Sequence, residues 1–186
     1  MAENTHQMMK MGWGRLAAMV ATSVVVMFLL MYQLVYDLDH AMFSTNRLLS
    51  SLIMGGVMTV IMLAYMWRMY EGVGLKIAVV TGALLVAGGL LALNRSQQLN
   101  NDARFMKSMI PHHSIAINNA RKSQITDPRV RELADQIIKS QVREIAEMKL
   151  LLEDLERNGR RGSEVLPAAP AVVTPEMVPE IRQAVQ

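Results

Sequence analysis

Residues 48–67 read LLSSLIMGGVMTVIMLAYMW, a run of 20 without a charged side chain. At 1.5 Å per residue a helix of that length covers about 30 Å, the thickness of a bilayer's hydrocarbon core. Two further uncharged runs flank it: residues 16–36, LAAMVATSVVVMFLLMYQLVY, and residues 77–93, IAVVTGALLVAGGLLAL. The three together predict an all-α chain whose residues 1–94 form a membrane domain, with spans at about 16–36, 48–67 and 75–94. Trp13, Tyr32, Tyr36, Tyr65, Trp67 and Tyr70 stand near the ends of the first two runs, where amphipathic rings favour the interface. The first run is too long for a signal-peptide core and ends in Tyr36-Asp37-Leu38-Asp39, with no small-residue cleavage site. In the third run Gly82, Gly88 and Gly89, with Ala78, Ala83 and Ala87, offer a small-residue surface for close helix packing.

Orientation follows from the basic residues. Lys10 and Arg15 precede the first span, and Arg68 and Lys76 bracket the second loop. The first loop, residues 37–47, holds two acids and Arg47 at its very end. The positive-inside rule therefore puts the N-terminus and second loop in the cytoplasm of a bacterial cell, and everything after Leu93 on the periplasmic or extracellular side.

A net charge of +3, without basic residues clustered among aromatics, excludes a nucleic-acid surface. The absence of cysteine excludes disulfides, thiolate zinc sites and Cys nucleophiles. Seventeen methionines are the unusual feature. Twelve lie between Met8 and Met69, and the row Met54, Met58, Met62, Met66 and Met69 has helical spacing. Its first expectation is packing, since the thioether chain fills irregular gaps. Relay of a soft metal is the alternative.

Beyond Arg95 the sequence turns charged and amphipathic, and residues 95–158 read as a helical hairpin. Asn101 or Asp102 can cap a first helix whose inward face is Phe105, Met106, Met109, Ile110, His113, Ile117 and Ala120. Pro111 falls inside that helix, where it removes a backbone donor and predicts a kink just before His112. Asp127 caps the second, with Pro128 at its first position and Gly159 closing it after Asn158. Its apolar stripe is Val130, Leu133, Ala134, Ile137, Ile138, Ile145, Met148, Leu152 and Leu155. A hairpin of about sixty residues buries too little to stand alone, so a four-helix bundle formed by a homodimer is expected. Residues 159–186, with four prolines, read as a flexible tail carrying one short helix near 176–185.

On the first helix Met106, Met109 and His113 share one side, with His112 at its edge. On the second, Gln141, Glu144 and Met148 interrupt the apolar stripe at spacings of three and four. Thioether and imidazole donors without a thiolate suit Cu(I) or Ag(I) better than zinc or magnesium. The structural alternative is that the methionines are core and the His hydrogen-bonds a neighbour.

The stretch NDARFMKSMIPHHSIAI, residues 101–117, resembles the signature of the family called domain of unknown function 305. Asp127-Pro128, Ile137-Ile138, Ser140-Gln141, Glu144-Ile145 and Met148-Lys149 match the rest of the pattern, which covers about 95–152. The three preceding spans look like a membrane-anchored branch of that family. The resemblance implies a ferritin-like helical bundle and periplasmic binding of copper or silver linked to metal tolerance. Carried over position by position, it marks Met109, His112, His113 and Met148 as ligands, with Met106 as an addition. One soft donor of the pattern is missing: relatives often carry Met, or Met-Cys, where this chain has Asn118-Asn119-Ala120.

The expected function is thus non-catalytic capture of Cu(I) or Ag(I) by a protein anchored in the lipid bilayer. The alternative is a membrane scaffold or partner-binding module whose Met and His residues only pack. An enzyme is not expected: ferritin-like di-iron sites require Glu-x-x-His on two helices, no Glu of the hairpin precedes a His by three, and no nucleophile motif is present.

Overall fold

A computed structural model describes residues 12–185 and, among them, contains helices and no strands. The α-helices are α1 (Trp13–Leu30), α2 (Thr45–Tyr65), α3 (Val73–Ser96), α4 (Asp102–Lys122), α5 (Pro128–Asn158) and α6 (Val178–Gln183). Three of them, α1, α2 and α3, are long and apolar enough to cross a membrane. The described chain divides into two compact units, 12–33 with 41–108, and 34–40 with 109–185.

In the first unit α2 packs against both α1 and α3. The contact is close because α2 carries Gly55 and Gly56. A Cβ on Gly55 would stand 2.4 Å from a Val24 methyl, and one on Gly56 would stand 2.9 Å from Ala87 Cβ and 3.1 Å from the Ala83 carbonyl. This corrects the expectation for α3. Ala83 and Ala87 do face a neighbour, but Gly82, Gly88 and Gly89 have open space where a side chain would go. The steric demand lies on α2, because a middle helix must approach two partners at once.

Leu16, Leu63 and Tyr70 form a small core at the end of this unit that holds the start of α1 and the α2–α3 turn. Met62, Met66 and Met69 of the methionine row pack against it, while Met54 is exposed. The Trp13 and Tyr70 rings stand 5.0 Å apart. Lys76, although charged, is buried: its Nζ donates to the Trp67 carbonyl at 2.8 Å and lies over the Trp67 ring. Arg15 and Arg68 are exposed at the same end. Lys10 and Met8 lie outside the described residues. At the opposite end Arg47 donates to the Met31 carbonyl and stacks over Tyr32 at 4.3 Å, so the first loop's one base is already engaged.

The first span is shorter than expected. The helix stops at Leu30 instead of running to Tyr36, and residues 34–40 group with the hairpin. Turns continue as far as Gln33, whose N–H donates to the Leu30 carbonyl; beyond it Arg47 takes the Met31 carbonyl and the backbone N–H of Tyr36 donates to the Ser114 hydroxyl at 2.7 Å rather than continuing a helical ladder. The other two apolar helices begin three and two residues earlier than expected, at Thr45, where Ser44 accepts the Arg47 N–H, and at Val73.

In the second unit α5 begins at Pro128 behind the Asp127 cap, whose carboxylate accepts the Arg129 N–H, and ends at Gly159. Gly159 has φ +72°, a conformation that favours glycine. Helix α4 opens at Asp102 with Asn101 Oδ1 accepting the Arg104 N–H at 2.9 Å, and it passes through a fully buried Pro111 unbroken. The tail forms a 3₁₀ turn, Pro175–Met177, and then α6. Arg129 Nη1 donates to the Val185 carbonyl at 2.8 Å, and a groove of about 760 Å³ lies between α6 and the start of α5.

Candidate metal-binding face

Two contacts set α4 against α5 in antiparallel register. Arg131 donates to the Ala120 carbonyl at 3.0 Å, and Nδ1 of His113 stands 3.2 Å from Oε2 of Glu144. One helical turn before His113 comes Met109, and one turn after Glu144 comes Met148. In antiparallel helices those two steps run the same way, so Met109 and Met148 fall at the same level, one turn from the His113–Glu144 contact. Met148 is buried, Met109 half-buried and His113 buried, while His112 is exposed. The adjacent imidazoles stand 6.1 Å apart, as the turn of about 100° between successive helical residues requires. Met106 is buried but sits in the part of α4 that groups with the first unit.

Glu144 divides its oxygens. Oε1 accepts from the Ser140 hydroxyl at 2.5 Å and Oε2 faces His113. No hydrogen bond closes between Oε2 and Nδ1, so the contact is Coulombic and Nδ1 is left without a bonded partner. The His113 pKa lies below the ordinary His value, chiefly because burial penalises the charged ring. Glu144 opposes that shift and His112 adds to it. His113 is therefore held neutral, the form in which imidazole binds a metal. Among the described residues no group of three His, Asp or Glu side chains is placed to hold a metal ion. A site here would have to use thioethers.

The buried face of α4 also differs from the expected one. Ile110, His113 and Ile117 point inward, but Phe105 is 53% exposed, and Ser114 and Asn118 are buried. Ser114 is inside because residues 34–40 lie on it. Its Oγ accepts the Tyr36 N–H and stands 3.0 Å from His40 Nδ1. Arg121 donates to the Tyr36 hydroxyl at 2.6 Å and lies over that ring, and Lys149 pairs with Asp39. None of Tyr36, Asp39, His40 or Ser114 follows from hairpin periodicity. The available signal is topological: three successive apolar helices that each crossed a membrane would put the first loop and the hairpin on the same side.

A family model described as "Domain of unknown function (DUF305)" matches residues 90–182, half of the chain. It starts within α3 and, unlike the shorter stretch legible in the sequence, extends into α6. An uncharacterized protein of Acanthamoeba polyphaga mimivirus is 40% identical over 62 residues, 32% of this chain and 41% of that protein. The chain thus spans about two fifths of that relative's length. No solved structure matches.

Proposed function

Because this chain belongs to the family described as Domain of unknown function (DUF305), with α4 and α5 inside the family region, we propose that it captures Cu(I) or Ag(I). It does so as a multi-pass protein of the bacterial cytoplasmic membrane. The hairpin lies on the periplasmic or extracellular side, and the role is metal tolerance or handling without catalysis. The observation that carries the reading is the His113–Glu144 contact. It sets a register in which two thioethers, Met109 and Met148, share a level beside a neutral, buried imidazole. Soft sulfur donors with one imidazole suit a monovalent soft ion, whereas zinc takes thioethers poorly. His112, exposed on the adjoining face, assists at the rim, and Met106 extends the sulfur donors along α4. Two copies pair through the exposed part of the α5 stripe, Val130, Leu133 and Ile137, into a ferritin-like four-helix bundle.

The test is a competition titration of the full-length protein in nanodiscs with Ag(I), Cu(I) and Zn²⁺. Ag(I) and Cu(I) should bind in preference to Zn²⁺. Changing Met109 and Met148 together to Leu keeps volume and apolarity, costs under about 1.5 kcal/mol of stability, and should weaken Ag(I) binding at least tenfold. Intact Ag(I) binding in that double variant would refute the thioether site. Binding of neither soft ion by the unmodified protein would leave the hairpin as a scaffold.

A further inference from the structure

Residues 34–40 are joined by sequence to α1 and α2 but pack with α4 and α5. Ser114 is the hub. Its side chain is fully buried, it accepts the Tyr36 N–H at 2.7 Å, and it lies 3.0 Å from His40 Nδ1. A hydroxyl has one proton to give. With Tyr36 donating into the oxygen, that proton is free to point at Nδ1 of a neutral His40, so every polar group at the hub is satisfied. Arg121 on Tyr36 and Lys149 on Asp39 tie the loop down on either side.

We propose that residues 34–40 form a pH-released latch on the hairpin, docked while His40 is neutral and freed when His40 takes up a proton. Protonation turns Nδ1 from acceptor to donor and breaks the Ser114 O–H···N bond. The groups facing His40 are Asp37 and Asp39 within the loop, Lys149 on α5 and the neutral Ser114 on α4. Lys149 repels the new charge, and the two aspartates attract it. Asp39 is already paired with Lys149, and burial of the ring, the largest influence, acts with Lys149 against the aspartates, so the docked His40 has a pKa below the ordinary value. On a freed loop His40 would titrate near the ordinary value of about 6.5. The docked state therefore loses ground as pH falls through that value. Release opens Ser114 to water and with it the side of α4 next to His113. The latch stands whether or not the hairpin binds a metal.

The chain has no cysteine, so an introduced pair reports cleanly. Leu38→Cys and Leu150→Cys, both at exposed positions, are spin-labelled in the full-length protein in nanodiscs, without metal. The distance between the labels is measured at pH 7.5 and pH 5. A narrow distance at pH 7.5 should be lost at pH 5. His40→Gln, whose amide still accepts from Ser114 but takes no proton, should stay narrow at both. Ser114→Ala should be broad at both. The latch is refuted by an unmodified protein indifferent to pH, by a His40→Gln protein that broadens at pH 5 as the unmodified one does, or by a narrow Ser114→Ala protein at pH 7.5. The second of these outcomes would assign the response to His112, His113 or the carboxylates.

Discussion

His113 carries two opposed influences, burial that disfavours its charge and Glu144 that favours it. Removing the carboxylate leaves burial unopposed. Glu144→Gln should therefore lower the His113 titration midpoint further, read from its ring proton shifts in the metal-free protein; a midpoint that rises would show that Glu144 is not the controlling neighbour. The stability consequence has a definite sign. A His whose folded pKa is depressed contributes stability that is present above the unfolded value of about 6.5. That contribution is lost as pH falls below it, because the unfolded chain then binds more protons. The metal-free protein should melt at lower temperature at pH 5 than at pH 7.5, and His113→Gln should flatten the difference. His113 and Met148 were legible in the sequence because helical spacing brings soft donors to one side. Ser114 and Asn118 were not, since a polar residue at a buried position reveals itself only through what covers it.

The helices themselves are a mixed case. Their caps were readable: Asn101, Asp127 with Pro128, and Gly159 each perform the local task that their residue type implies. Their faces were less so. Phe105 was expected inward by periodicity and is exposed, while α3 turns its glycines outward and leaves the tight contact to Gly55 and Gly56. Composition identifies a small-residue surface but not the helix that must yield space. Gly56→Ala should therefore destabilise the membrane unit by about 1–3 kcal/mol, since the Ala87 methyl and Ala83 carbonyl are too near to give way. Gly88→Ala should be tolerated, its site being open. Thermal unfolding of the two variants in the same detergent compares them directly, and equal losses would mean that the helix packing is wrong.

For the protein as a whole, orientation and self-association are the open propositions. Arg15, Arg68 and Lys76 gather at one end of the membrane unit. A reporter active only outside the cytoplasm should then be active when fused after Gly159 and silent after Gly74. The reverse would move the candidate site into the cytoplasm. Along α5, Val130, Leu133 and Val142 are each at least half exposed in a single copy. Covering one such side chain is worth about 1.5–3 kcal/mol, so a second copy has something to gain. Leu133→Asp should abolish dimers in sedimentation without unfolding the single chain, because that position is already open to solvent. A native protein that sediments as a monomer across the micromolar range would refute the pairing.

Three uncharged runs, their aromatic borders and the cap residues of α4 and α5 were enough to determine an all-α chain with three helices fit to span a membrane and a charged hairpin beyond them. Those properties are local: length, apolarity and capping act within about twenty residues and need no distant partner. The shortened first span, the burial of Ser114 and the attachment of His40 to α4 are contacts between residues more than seventy positions apart. Periodicity has no term for them. They arise because residues 34–40 find better hydrogen-bond partners on the hairpin than a continued helix would offer, and only the folded chain brings those partners together.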